Sequence, residues 1–269
     1  MKSSEPIHKY QFQTLVDSSA ARDRVRLLCL QNSYSGAWLN ICPSAAAGLR
    51  LGNPEFNILC RFRLGCDILP QFARNCALCG AASDVFGDHL LCCQQNGIVR
   101  RHNAIVDQLA RVTKAAGLPY TVDRAIDVDH RQRPGDLILP RWQGVSPLYI
   151  DVTITHPLAL SNNWANIRSG REELLRSEEA KRCKYINILP LQDQLVVFGM
   201  TTFGQLSVGA ENFLHDLAAI YTSAVFICRT DSRGGGGGPR TYRTTTSALL
   251  TTPNSTDAVN IHMLHTLEL

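Results

Sequence analysis

The feature that most constrains this chain is the segment CALCGAASDVFGDHLLCC, residues 76–93, which holds four cysteines and a histidine. Zinc is held in proteins by four soft or borderline ligands in a tetrahedron, and a Cys-x2-Cys turn followed by a second ligand pair supplies such a set. Cys76 and Cys79 form the first pair, and His89 with Cys93 forms the second. We therefore predict a structural zinc site, because four protein ligands leave no open position for a substrate.

The fourth zinc ligand has a second candidate. Cys93 gives a His-x3-Cys spacing, whereas Cys92 gives the equally possible His-x2-Cys spacing. Gly80 follows the first cysteine pair directly, where a tight turn requires a positive φ angle. A zinc module this short cannot be the whole function of a 269-residue chain, so we predict that it is an accessory.

The charges of the chain are distributed unevenly. The net charge is only +4, yet residues 1–125 carry 14 Lys and Arg against 9 Asp and Glu, while residues 126–269 carry 13 against 14. The basic excess lies around the cysteine cluster, which is consistent with contact to nucleic acid. The first residues, MKSSEPIHKYQFQ, lack the apolar run of a secretory signal, and no segment approaches ~18 uninterrupted apolar residues. We expect a nuclear or otherwise intracellular protein that is not secreted, with cysteines reduced or metal-bound.

Hydrophobic periodicity and turn residues divide the chain into four parts. We predict a basic, mainly helical segment (1–70), the zinc module (71–97), an α/β core (98–228) and a disordered Gly/Thr-rich tail (229–269). Residues 1–20 show little pattern and are expected to be loosely ordered. Within the core, the pattern predicts helices over 99–116, 168–184 and 211–227, and strands over 120–126, 136–142, 148–155, 185–189 and 194–201. The second and third of these strands are expected to form a hairpin.

Two aspartates lie in the predicted hairpin. Asp136 opens one strand, and Asp151 lies in the apolar run LYIDVTIT of the other. A carboxylate in such a run is costly to bury without a partner or a metal, and hard oxygen ligands of this kind suit Mg²⁺. The alternative is that either aspartate faces solvent.

The predicted helix that follows carries Glu178, Lys181 and Tyr185 at i, i+3 and i+7, and this spacing places all three on one face. The alternative is a solvated helix with ordinary Glu–Lys pairs. The helix after the zinc module opens with RRHN, so Arg100, Arg101, His102 and Asn103 lie where free backbone N–H groups favour phosphate. A basic helix start without a special role is the alternative here.

Taken in order, these motifs resemble the restriction-like endonuclease domain at the C-terminal end of site-specific non-LTR retrotransposon reverse transcriptases. That family has a Cys-Cys-His-Cys zinc module, an Arg-His-Asn motif and a variant PD-(D/E)xK nuclease core. Its Gly-Asp-His matches Gly87-Asp88-His89, which favours Cys93 over Cys92 as the fourth ligand. Its Arg-Pro-x-Asp matches Arg133-Pro134-Gly135-Asp136, and its second metal-binding aspartate matches Asp151. The resemblance covers about residues 25–225.

The catalytic lysine of this family differs from that of ordinary PD-(D/E)xK enzymes, where it lies two residues after the second acid. In this chain that position is Thr153. The family takes its lysine from the next helix in a Lys-x3-Tyr arrangement, which matches Lys181 and Tyr185, with Lys184 as the alternative. The chain has no Tyr-x-Asp-Asp polymerase motif, so the resemblance implies a separated endonuclease part without its reverse transcriptase, a truncated remnant of an element, or a host gene derived from one.

The resemblance implies a fold and an activity. The fold would be α/β, with a small mixed sheet and flanking helices, preceded by a helical segment and a zinc module. The activity would be nicking of double-stranded DNA, with Asp136 and Asp151 holding Mg²⁺ or Mn²⁺ and with Lys181 and Tyr185 as catalytic residues. The element's RNA, a separate reverse transcriptase or a second copy of the chain are further expected partners, and no membrane is involved. The alternative is a catalytically inactive, zinc-dependent nucleic-acid-binding relic of such an element.

Overall fold

The computed structural model of the chain describes residues 5–40, 50–70, 75–122, 135–143, 146–159, 162, 164, 167, 169–186, 189 and 195–231. The helices within these ranges are α1 (Glu5–Ser18), α2 (Ala21–Leu30), a 3-10 helix (Ser33–Asn40), α3 (Asn53–Leu64), α4 (Asp88–Cys92), α5 (Ile98–Ala115), α6 (Glu172–Tyr185) and α7 (Val208–Asp231). The strands are β1 (Thr121–Val122), β2 (Leu137–Trp142), β3 (Ser146–Thr155) and β4 (Leu195–Thr201). None of the helices described is long and apolar enough to cross a membrane.

The four strands form one mixed sheet in the order β1-β2-β3-β4. β2 pairs antiparallel with β3, so the predicted hairpin is confirmed, and Leu137 lies opposite Ile150. β3 pairs parallel with β4, and Asp151 lies opposite Val197. A parallel pair needs a crossover connection, which here contains α6. The α/β class with a small mixed sheet and flanking helices is therefore confirmed.

The two faces of the sheet are covered by different helices. Alternate residues of a strand point to opposite faces, and Ile150 and Val152 of β3 belong to the main core with residues of α5 and α7. The main core is built from apolar side chains of these elements, including Ile105, Leu109, Leu137, Leu139, Phe198, Phe213, Leu214 and Leu217. Tyr149 packs on the other face against Tyr185 at the end of α6. Asp151, two residues after Tyr149, also lies on the α6 face.

A second, smaller core joins the N-terminal helices to the zinc module and the sheet. It contains Val25 and Cys29 of α2, Phe62 of α3, Leu91 of α4 and Phe203 after β4. The rings of Phe62 and Phe203 are stacked with centroids 4.7 Å apart. The predicted helical segment and the zinc module therefore pack on the α/β core through a continuous apolar contact.

Three of the sequence expectations for local structure differ from what is observed. Residues 1–20 were expected to be loosely ordered, but they contain α1, whose Val16 is 4% exposed. The strand expected over 185–189 is wrong at its start, because Tyr185 is the last residue of α6. The N–H of Leu189 donates to Tyr185 O, which is a helical and not a strand hydrogen bond. Residues 229–231 of the tail expected over 229–269 belong to α7, and residues 232–269 lie outside the described residues.

Candidate metal centre and carboxylate cluster

The predicted zinc ligands are brought together in space. The ligand atoms of Cys76, Cys79, His89 and Cys93 all lie within 4.8 Å of one another, and the four residues could hold a metal ion. Cys79 Sγ lies 3.2 Å from His89 Nε2, and the sulfurs of Cys76 and Cys93 are 3.9 Å apart. Three thiols and an imidazole are the donor set of a structural Cys3His zinc site.

Backbone geometry explains how so short a segment arranges these ligands. Gly80 has a φ of 74°, as the sequence predicted, and its N–H donates to Cys76 O at 2.8 Å to close the turn. The backbone N–H groups of Cys79 and Leu78 hydrogen-bond to Cys76 and lower the pKa of that thiol to about 6. A thiolate is the form that binds metal, so the turn prepares Cys76 as a ligand.

The second ligand pair is oriented by Asp84, which the sequence analysis did not single out. Its carboxylate accepts the N–H groups of Phe86 at 2.9 Å, Asp88 at 3.0 Å and His89 at 2.7 Å. Free N–H groups at a helix start are commonly satisfied in this way. Asp84 therefore fixes the start of α4 and with it the position of His89.

Of the two candidates for the fourth ligand, the structure groups Cys93 with the other three. Cys92 is outside that group, and burial together with the charge of Asp88 raises the pKa of its thiol to about 11. Burial also raises the pKa of the Cys93 thiol, so the choice between the two cysteines rests on the position of their sulfurs.

A buried polar network ties the zinc module to the rest of the molecule. Asp88, only 3% exposed, accepts from Arg22 Nε at 2.6 Å and pairs with His156 Nε2 at 3.2 Å. His156 Nδ1 lies 2.6 Å from Thr202 Oγ1. A buried carboxylate is stable only when it is paired and hydrogen-bonded, and here its partners come from α2 and from the end of β3. The Asp of the Gly-Asp-His motif is thus a structural residue.

The four residues of RRHN do not share one role. Arg101 is 4% exposed and donates from Nη2 to Leu91 O at 2.7 Å, so its guanidinium holds α5 against α4 instead of facing outward. Arg100 is exposed. His102 Nε2 lies 3.1 Å from Asp136 Oδ2, and His102 Nδ1 lies 3.3 Å from Asn103 Oδ1. His102 is therefore part of the site around Asp136, which sequence spacing could not reveal because 34 residues separate the two.

Asp136 lies directly before β2. Its backbone and its side chain hydrogen-bond to the two residues of β3 that flank Asp151. Its N–H donates to Ile150 O at 2.8 Å, and its Oδ2 accepts the N–H of Val152 at 2.7 Å. Gly135 allows this close approach, because a Cβ there would lie 2.8 Å from Ile150 O. Arg133 and Pro134 of the matched motif lie outside the described residues.

Asp151 is held by two residues of α6. The ammonium of Lys181 lies 2.6 Å from Asp151 Oδ2, and the hydroxyl of Tyr185 donates to Oδ1 at 2.9 Å. Asp151 is only 3% exposed, so the expectation of a buried carboxylate with a partner agrees with its position. The lysine and tyrosine of the predicted Lys-x3-Tyr arrangement therefore meet the second aspartate.

The remaining candidates on α6, Lys184 and Glu178, have other neighbours. Lys184 is exposed, and its Nζ donates to the Tyr185 hydroxyl at 3.4 Å and lies 4.9 Å from the centre of the tyrosine ring. Glu178 Oε1 is buried without a hydrogen-bond partner among the described residues and approaches Gly209. Of the two lysines, Lys181 is the one in contact with a carboxylate.

The electrostatics show that these groups share one environment. The hydrogen bond with Asp136 raises the pKa of His102, against burial and the nearby charge of Lys181, which lower it. Burial, then the charges of Asp151 and Asp136, raise the pKa of the Tyr185 hydroxyl. The tyrosine therefore remains a proton donor at neutral pH. We call the group of His102, Asp136, Asp151, Lys181 and Tyr185 the carboxylate cluster.

The carboxylate cluster combines two acids, a fixed ammonium, a phenol and an imidazole at one end of a strand pair. Carboxylate oxygens suit a hard divalent cation, and the ammonium and phenol can contact an anionic oxygen.

Comparison with known proteins adds no identification. No family model matches the chain, and neither a curated protein nor a solved structure matches it.

Proposed function

We propose that this protein is a metal-dependent DNA endonuclease that nicks double-stranded DNA and is derived from a non-LTR retrotransposon polyprotein. The observation that carries the proposal is the convergence of Asp136, Asp151, Lys181 and Tyr185, which come from three separate elements. A solvated helix with ordinary ion pairs would not direct Lys181 and Tyr185 at the same buried aspartate.

The donor set fits the proposed metal. Asp136 and Asp151 offer hard oxygen ligands on neighbouring chain segments, as Mg²⁺ or Mn²⁺ requires. A bound divalent ion would polarise the phosphate and lower the pKa of a bound water. The ammonium of Lys181 neutralises Asp151 in this structure, so metal binding would compete with that ion pair.

The protein's own residues have distinct roles in this proposal. Lys181 stabilises negative charge on the phosphate oxygens as the transition state forms. Tyr185 holds Asp151 Oδ1 in a fixed orientation and remains protonated. His102 orients Asp136 through its Nε2 and adds positive charge beside it when protonated.

DNA binding in this proposal involves the zinc module and the exposed Arg100. Contacts of this kind go mainly to phosphates and weaken as salt rises. Arg101 is excluded from this role because its guanidinium is buried against Leu91 O. We place the protein in the nucleus, where its DNA substrate is found, with the element's RNA, a separate reverse transcriptase or a second copy as further partners.

A second candidate function has its own support. Both oxygens of Asp151 are engaged, by Lys181 and by Tyr185, which is also what a purely structural ion pair looks like. A zinc-dependent nucleic-acid-binding protein without catalysis would keep this arrangement.

A supercoiled-plasmid nicking assay with Mg²⁺ or Mn²⁺ separates the two functions. The enzyme predicts nicking by the wild type and a loss of at least about 100-fold in Asp136→Asn and Asp151→Asn, because each removes a metal ligand. Asp216→Asn, on the exposed side of α7, is the matched control and should nick like the wild type. Equal nicking by all four proteins would exclude the carboxylate cluster as the site. Salt-sensitive DNA binding without nicking would favour the binding relic.

A further inference from the structure

Lys184 places a positive charge at the surface beside the carboxylate cluster. The residue is exposed, and its Nζ lies 3.4 Å from the hydroxyl of Tyr185. The same hydroxyl donates to Asp151 Oδ1 at 2.9 Å. A single hydroxyl group therefore separates the ammonium of Lys184 from the buried carboxylate, while solvent reaches the ammonium from the other side.

The charge of Lys184 is not neutralised by an acidic side chain. Among the residues that the structure describes, Lys184 forms no ion pair with a carboxylate, whereas the ammonium of Lys181 pairs with Asp151 Oδ2 at 2.6 Å. The Nζ of Lys184 lies 4.9 Å from the centre of the Tyr185 ring, a distance at which the face of an aromatic ring attracts a cation. Tyr185 thus holds the ammonium in place and leaves its charge available to an anion.

The position of this ammonium selects the kind of anion. The carboxylate cluster beside it is the proposed position of the scissile phosphate, and lysine binds phosphate groups as a point charge. Each strand of a duplex carries a phosphate about every 3.4 Å along the helix axis, so DNA bound at the cluster brings further phosphates past Lys184. A contact of this kind positions DNA without reading its sequence.

We propose that Lys184 binds a backbone phosphate of DNA next to the carboxylate cluster, whatever the base sequence. The inference deepens the proposed DNA-cleaving function and rests on it for the identity of the ligand. Lys184 contributes binding energy that is the same in the bound substrate and in the transition state, whereas Lys181 acts on the reacting phosphate. An ammonium in the last turn of a helix also interacts with the helix dipole, but that interaction affects stability and not the salt dependence of DNA binding.

Fluorescence anisotropy of a labelled duplex tests the proposal with the zinc-loaded full chain, without Mg²⁺, over a series of salt concentrations. One phosphate contact contributes about 0.9 to the slope of log K against log salt concentration. Lys184→Met should make the slope shallower by about that amount and weaken binding about five- to tenfold at 0.1 M salt. Lys184→Arg keeps the charge and should retain the wild-type slope. Two duplexes of unrelated sequence should give the same change.

Lys114→Met is the matched control for the loss of an exposed ammonium. Lys114 is exposed in the last turn of α5, roughly 18 Å from His102 along the helix at about 1.5 Å per residue. Its replacement should leave the slope unchanged. The proposal would be overturned by an unchanged slope for Lys184→Met, by an equal change for Lys114→Met, or by a wild type that does not bind the duplex.

Plasmid nicking separates this inference from the proposed function. Lys184→Met should raise KM about five- to tenfold and leave kcat within about twofold, because uniform binding is lost. A fall in kcat at unchanged KM would instead make Lys184 part of the chemical step and overturn the inference. A wild type that does not nick, with a Lys184-dependent slope, refutes the nuclease and supports the phosphate contact. Nicking with no effect of Lys184→Met on KM or slope refutes the contact alone.

Discussion

The ion pair between Lys181 and Asp151 gives the sharpest test of the carboxylate cluster. Replacing Lys181 by Met keeps most of the side-chain volume and removes the ammonium 2.6 Å from Asp151 Oδ2. Removing one partner of a fully buried pair costs about 3–5 kcal/mol, because the other charge stays buried without compensation. The side chain of Lys181 is 29% exposed while that of Asp151 is 4% exposed, so water screens part of the interaction. We therefore expect a loss of about 1–3 kcal/mol in the free energy of unfolding.

Urea unfolding of the zinc-loaded protein at neutral pH measures this loss. Lys184→Met is the matched control, and it should stay within about 0.5 kcal/mol of the wild type because Lys184 is exposed. The double variant with Asp151→Asn completes a cycle, in which we expect a coupling energy of about 1–2 kcal/mol between the two positions. A loss for Lys181→Met no larger than that for Lys184→Met, or a coupling energy near zero, would refute the assignment of Lys181 as the partner of the buried aspartate.

Three further predictions concern the zinc site and the carboxylate cluster. Cys93→Ser should lose bound zinc, whereas Cys92→Ser should retain one zinc per chain by metal analysis; equal retention would exclude Cys93 as a ligand. Tyr185→Phe removes the hydrogen bond to a buried carboxylate and should lower the free energy of unfolding by about 1.5–3 kcal/mol in urea; an unchanged midpoint and slope would contradict that bond. His102→Asn should reduce stability mainly at low pH. The pKa of His102 is raised in the folded state by Asp136, so its contribution is fully present below about 6.5, the ordinary histidine pKa, and is lost as pH rises through the raised value. The unfolding midpoints of the variant and the wild type should therefore converge at high pH. A difference between them that grows with pH would contradict a raised pKa of His102 in the folded state.

Much of the site could be predicted because its residues lie in strongly patterned segments. Asp151 interrupts an apolar strand, and Lys181 and Tyr185 repeat at a helical spacing, so local periodicity alone places them on defined faces. The hairpin brings Asp136 beside Asp151, and short turns of this kind follow from sequence. The zinc ligands are close in sequence, and their spacing determines their geometry.

The remaining parts depend on contacts between distant segments. His102 meets Asp136 across 34 residues, and Asp88 meets His156 across 68 residues, so no local pattern indicates either pair. Burial of Arg101 depends on how α5 packs on α4, which is a tertiary property. The strand expected at Tyr185 was wrong because contact with Asp151 keeps that residue at the end of α6, and tertiary contacts override the preference of aromatic residues for strands.

The close approach of Gly135 to β3 has a consequence for how the proposed activity would be lost by substitution. Any side chain at Gly135 meets Ile150 O at 2.8 Å and the backbone nitrogen of Ile150 at 3.1 Å, so the segment before β2 must move away from β3. Asp136 is the next residue and would move with it. If the proposed endonuclease activity is correct, replacement of Gly135 alone would abolish it by displacing Asp136, while every acidic, basic and metal-binding residue is still present. Catalytic competence of the carboxylate cluster would then depend on a residue that has no side chain to take part in the chemistry.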